Sequence, residues 1–181
     1  MVLLILGCTF SIGDTDTGSF DSLPDAGTGE LCDQVYDTGA PIGPSCRSGE
    51  LACGEAVEAS TGGGESAFVS EDYGHFYCFP DLGGNGYPGP ERVYQVHLES
   101  SASATAAVSA PCGDMGVAVM RWTDDETCPD ADSALNDCEG DEGSDSLSAH
   151  FGGYEEGNDW LIVVDSAGGD PTPFRLSLDC D

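Results

Sequence analysis

The chain has 181 residues, with 34 Asp and Glu against four Arg and no Lys, so its formal net charge is −30 at pH 7. A surface this acidic cannot neutralise phosphates, which excludes nucleic-acid binding, and it has no basic patch with which to adsorb to anionic lipid. Hydrophobic residues make up 39%, enough for one core, and the length fits one domain with an extension.

The N-terminus opens on a short apolar run that ends in Gly7 and Cys8. Ile5-Leu6-Gly7-Cys8 resembles the bacterial lipobox, in which the cysteine becomes the lipidated N-terminus. Residues 1–7 are then the remnant of a lipoprotein signal and Cys8 is the lipidation site. A secretory signal carries a basic n-region and an apolar stretch of about 7–15 residues. Here no basic residue precedes Cys8 and the apolar run is shorter, so the true start is expected upstream. Spanning a bilayer takes about 20 apolar residues, and no run of that length occurs. The other eight cysteines are Cys32, Cys46, Cys53, Cys78, Cys112, Cys128, Cys138 and Cys180. They form no C-x-x-C pair, and histidine is scarce, so disulfides are expected in place of metal, in a compartment outside the cytoplasm. Eight cysteines allow 105 connectivities, which leaves the pairing open.

Residues 8–45 read as a lipidated cysteine and a flexible acidic linker. Asp14, Asp16, Asp21, Asp25, Glu30, Asp33 and Asp37 fall in it with no base. Such a segment buries too little apolar surface to offset its ordering entropy, and its like charges extend it. Thr9, in place of an Asp after the cysteine, points by resemblance to the outer membrane, on its periplasmic or its extracellular face.

From residue 46 to 181 short alternating runs lie between turn-rich clusters. Weak strand signals occur at 56–59 and 76–79. Arg92-Val93-Tyr94-Gln95-Val96-His97-Leu98-Glu99 alternates, with Tyr94, Val96 and Leu98 on one face. Residues 105–109 and 115–122 are further strands, the latter with Met115, Val117 and Val119 together. Residues 146–151 alternate again. Trp160-Leu161-Ile162-Val163-Val164 is apolar throughout, as a central strand covered on both faces requires. Phe174, Leu176 and Leu178 mark the last strand. No window of a dozen residues has a helical period. The pattern predicts an all-β domain, preceded by the disordered acidic stalk.

Several of these landmarks, in order, resemble the cysteine-rich variants of the bacterial pre-peptidase C-terminal (PPC) domain. They are Cys53-Gly54, Tyr77-Cys78, Gly89-Pro90-Glu91-Arg92-Val93-Tyr94, Asp114-Met115-Gly116-Val117-Ala118-Val119, Trp160-Leu161-Ile162-Val163-Val164-Asp165 and Phe174-Arg175-Leu176-Ser177-Leu178-Asp179-Cys180. The resemblance spans residues 53–180. It implies an antiparallel jelly-roll-like β-sandwich with a non-catalytic accessory role, and it suggests Cys53–Cys180 as a pair, since first and last strands of such sandwiches neighbour each other. Cys128–Cys138 is expected because both flank one loop. Cys32–Cys46 and Cys78–Cys112 then follow by elimination. Gly116 and Ser166 depart from the family pattern. Some relatives bind calcium through carboxylates near the sheet end, and the loss of an acid at 116 weakens that carry-over.

No cofactor is expected, and calcium is the one candidate. Residues 124–145 hold ten carboxylates and no base, but calcium-loop spacing fails. A loop begun at Asp137 puts Glu142 where Gly belongs and Ser148 last; one begun at Asp14 puts Ser19 and Asp25 there. The favoured reading is a solvated acidic loop. For catalysis there is no G-x-S-x-G and no H-E-x-x-H, and Ser144 interrupts the only G-D-S-L-like stretch. His97 and His150 fall on polar strand faces. Trp160 reads as core, Trp122 ends its strand on the face opposite Met115, Val117 and Val119, where it is open to exposure, and Tyr73 and Tyr87 read as loop residues; scattered packing is the favoured reading of the aromatics. The function expected is therefore a non-catalytic cell-surface lipoprotein, attached to the membrane by its lipid and displaying a binding module for a surface protein or glycan. The alternatives are a calcium-dependent carbohydrate- or protein-binding module and, less favoured, a small secreted hydrolase.

Overall fold

The structure is a computed structural model, and it describes residues 31–36, 46–64, 66–68, 70–76, 78, 86–124, 127–130, 133 and 137–181. Cys8, most of the acidic linker, Tyr77 and Phe79 lie outside the described residues. Among the described residues, seven strands follow one another as β1 (Arg47–Glu50), β2 (Ala56–Ser60), β3 (Glu91–Leu98), β4 (Ser103–Arg121), β5 (Cys138–Gly152), β6 (Asn158–Ser166) and β7 (Pro173–Cys180), with the helix α1 (Ser70–Phe76) between β2 and β3. No helix among the described residues is long and apolar enough to cross a membrane.

The two separate β4 strands expected at 105–109 and 115–122 are one strand of 19 residues. Its pairing with β5 shifts register between Ala110 and Met115, where Pro111, Cys112 and Gly113 intervene. Proline has no N–H to give a ladder and is tolerated at such a bulge. The bulge lets one strand serve two neighbourhoods. The first half of β4 pairs with β7, and the second half pairs with β6. β7 then carries β2, and β6 carries β3 and β1. All pairs are antiparallel except β1–β3, which is parallel. The strands thus form one continuous mixed sheet that curls about β4, and this corrects the expected purely antiparallel sandwich. A helix is also present at 70–76; seven residues are too few to show a period in the sequence.

Inside the curl lies the main core. Tyr94, Val96 and Leu98 of β3 meet Ala104, Ala106 and Val108 of β4, Phe151 of β5, Trp160 and Ile162 of β6, and Phe174, Leu176 and Leu178 of β7. The alanines of β4 leave room for the aromatic rings, and the Phe151 ring lies tilted against Trp160 with centroids 5.1 Å apart. The outer face of β3, β6 and the second half of β4 is covered too. Val93, Ala118, Met120, Leu161 and Val163 pack there against Phe68, Tyr73, Tyr87 and the disulfide cysteines Cys46 and Cys78. β6 is accordingly buried on both sides, as its unbroken apolar run predicts.

Four disulfides hold these layers: Cys32–Cys112, Cys46–Cys128, Cys53–Cys180 and Cys78–Cys138. Three expected pairs, Cys128–Cys138, Cys32–Cys46 and Cys78–Cys112, are replaced. Nearness in sequence misleads because Cys138 opens strand β5, so Cys128 and Cys138 do not close a simple loop but each fix a different covering segment to the sheet. Within the stretch read as a linker, Leu31 is buried and Cys32 is fastened to the β4 bulge. Four disulfides belong to an oxidising compartment outside the cytosol.

Candidate functional site

The most unusual chemistry sits on the outer face of the sheet, under the cover. Glu91 of β3 is the Cα partner of Asp165 of β6. Asp165 is in turn opposite Gly116 of β4, and Gly116 is opposite Glu142 of β5. Residues directly opposite across a ladder share a face, so the four make one row across four strands. Gly116 contributes no side chain to the row, and two phenols close over it. Tyr73 of α1 donates its hydroxyl to Asp165 Oδ2 at 2.6 Å, and Tyr87 donates to Glu142 Oε2 at 2.8 Å. Their rings meet edge to face, 5.3 Å apart.

Glu91 and Asp165 are each 1% exposed. Glu91 Oε1 accepts the Ala67 N–H at 2.7 Å. Glu91 Oε2 and Asp165 Oδ1 are buried with no hydrogen-bond partner among the described residues. Burial disfavours a charged carboxylate. It pushes Asp165 up to about 7, against the opposing pull of the Tyr73 hydroxyl. Burial likewise pushes Glu91 up to about 8; the Ala67 N–H opposes this and the neighbouring Asp165 adds to it. Both phenols are held well above the usual tyrosine range by the same burial and by the carboxylates they face. At neutral pH the pair therefore retains a proton. Arg92 is buried on the other face, where its guanidinium donates to the carbonyls of Ser60, at 2.9 Å, and Gly62. It pins the turn after β2.

A second locus is open to solvent. A cleft of about 400 Å³ beside the β1–β3 edge is lined by Glu50, Leu51, Cys53, Glu55, Gln95 and His97. The Arg47 guanidinium donates to Gln95 Oε1, and Glu55 Oε2 accepts the Ala52 N–H at 2.9 Å. His97 Nδ1 lies 2.7 Å from Asp159 Oδ1. That hydrogen bond raises the imidazole above its ordinary value. The cleft thus offers carboxylates, an amide and an imidazole at the surface, next to the Cys53–Cys180 bridge.

The other expected site residues are dispersed. Glu139, Asp141, Glu142 and Asp145, read as part of an acidic loop, lie on strand β5. Asp125, Glu126 and Asp132 lie outside the described residues. Among the described residues no group of three or more His, Cys, Asp and Glu is arranged to hold a metal ion. In the buried row, moreover, one oxygen of Asp165 and one of Glu142 are already taken by phenols, so the donor set does not fit calcium. Trp122, at the end of β4, is half-buried, and its indole N–H donates to the Thr127 carbonyl at 2.8 Å. Tyr73 and Tyr87, expected in loops, are fully buried. His150 is exposed beside Thr105, 3.3 Å from its hydroxyl.

No family model matches the chain, and no curated protein sequence does. Among solved structures it is similar to the pre-peptidase C-terminal domain of a collagenase from Bacillus anthracis, at 11% identity and a TM-score of 0.44, over 74% of this chain and 96% of that one. It is also similar to PliG of Aeromonas hydrophila, a periplasmic inhibitor of g-type lysozyme, at 9% identity and a TM-score of 0.40, over 74% and 99%.

Proposed function

We propose that the chain is a non-catalytic binding module of the bacterial cell surface, held to the outer membrane by a lipid on Cys8 and spaced from it by the acidic segment that follows. The observation that carries the binding role is the open cleft at Glu50, Glu55, Gln95 and His97. The carboxylates and phenols with the most perturbed chemistry are spent on one another inside the body, where no substrate reaches them. The cleft, by contrast, presents polar groups to solvent without a nucleophile beside its histidine. Its acidic rim suits a ligand rich in hydrogen-bond donors or carrying positive charge, such as a basic side chain of a surface protein or an amino sugar of a glycan.

Titrating the full chain with a lysine-bearing peptide and with an amino-sugar oligosaccharide tests the cleft. Saturable binding that is lost in Glu50→Gln/His97→Ala is the expected result. Binding that survives this double substitution moves the function elsewhere on the surface. The anchor is tested by Cys8→Ala, which is expected to move the protein from the membrane fraction to the soluble one.

A further inference from the structure

We propose that Glu91 and Asp165 form a proton-operated clamp: while the pair keeps a proton, the outer layer of α1 and residues 66–68 stays seated on the sheet, and loss of that proton releases it. The two carboxyls are Cα partners on adjacent strands, both are fully buried, and each has one oxygen without a partner among the described residues. Their other oxygens are the points by which the cover is held. Ala67 N–H reaches Glu91 at 2.7 Å, and Tyr73 of α1 reaches Asp165 at 2.6 Å. The clamp and the attachment are therefore the same atoms.

Among the described residues, the groups that face the pair supply no compensating charge. From α1 it is Tyr73, from the segment before β3 Tyr87, from β5 Glu142 and from β4 Asp114, the last two acting through the phenol of Tyr87. The guanidinium of Arg92, next in sequence to Glu91, is engaged on the opposite face with Ser60 and Gly62. Two ionised carboxylates side by side in a water-excluded layer repel strongly and leave charged oxygens unsolvated. Opening the cover lets water reach them. The shifts described above, to about 7 and about 8, put that release just above neutrality. A protein outside the cytosol meets such changes of pH directly.

Hydrogen exchange read by mass spectrometry on the full chain at pH 6 and pH 9, corrected for intrinsic exchange rates, tests the clamp. Peptides over 66–76 are expected to lose protection by about tenfold or more between the two pH values, while peptides over β7, whose Phe174, Leu176 and Leu178 lie in the inner core, keep theirs. Glu91→Gln and Asp165→Asn are expected to abolish the difference. Equal protection of 66–76 at both pH values, a parallel loss in β7, or a loss that persists in the folded variants would each overturn the clamp. If a variant does not fold, the wild-type comparison across pH decides alone.

Discussion

Glu91 carries the sharpest consequence for a single residue. In the unfolded chain its carboxyl titrates near about 4.3, and in the folded protein near 8. Between those values the folded state binds the extra proton, so stability falls as pH rises through this window and the contribution is fully present only below it. Asp165 adds the same sign up to about 7. Each group contributes a slope of up to about 1.4 kcal/mol per pH unit within its window. Glu91→Gln imitates the protonated acid, so in urea unfolding the variant is expected to stay within about 1 kcal/mol of the wild type at pH 5 and to exceed it by up to about 5 kcal/mol at pH 8.5. Gly64 is the complementary case. A Cβ there would stand 2.0 Å from the Glu91 carbonyl oxygen, so Gly64→Ala forces backbone apart beneath the cover. A loss of about 2 kcal/mol or more is expected in the same assay. Neither role was legible in the sequence. Glu91 precedes a cleanly alternating strand and reads as a polar terminus, because the cover over it is built by Phe68, Tyr73 and Tyr87, which belong to stretches with no strong periodic signal of their own.

At the scale of elements, β5 shows how a long edge is kept from pairing further. It pairs with β4 alone, and three of its backbone N–H groups, the first that of Glu142 to Asp141 Oδ1 at 3.0 Å, are taken by its own carboxylates. Ser148 N–H donates to Asp141 Oδ2 at 3.0 Å, and His150 N–H donates to Glu139 Oε1 at 3.2 Å. Positive φ at Asp145, 73°, marks where the strand turns on itself. Acidic side chains along an edge discourage a further strand from adding to it. Asp141→Ala is expected to cost about 1 kcal/mol and to raise self-association, measured by light scattering at fixed concentration. The strands at 92–99, 160–164 and 174–178 were legible because their alternation or unbroken apolar character reports burial directly. The first half of β5 was not, since Cys138-Glu139-Gly140-Asp141-Glu142-Gly143 carries no hydrophobic beat. It joins the sheet through its backbone ladder, the Cys78–Cys138 bridge and the Tyr87–Glu142 hydrogen bond, so the pattern reads as loop. The disulfides failed for a related reason: three pairs join segments 60 to 82 residues apart that only the curl of the sheet brings together. Closing loops of that length stabilises by about 4 kcal/mol in the chain-entropy model. The double variant Cys78→Ala/Cys138→Ala is therefore expected to lose about 2–4 kcal/mol, with near-ultraviolet dichroism of the tyrosines under the cover reporting the change.

The whole molecule is governed by its charge and its sulfur. Excess carboxylate of this size repels itself, and salt screens that repulsion over about 10 Å at 0.1 M. The melting temperature is expected to rise with NaCl from low salt upward, and indifference to salt would count against a charge-limited fold. The cross-links oppose the same repulsion covalently, tying the first strands to the last and the cover to the sheet. Intact-mass spectrometry of the native protein from the membrane fraction, before and after reduction, tests the account most directly. An acylated N-terminal Cys8 together with four disulfides is the predicted result. An unmodified chain recovered from the cytosol with its thiols free would contradict it.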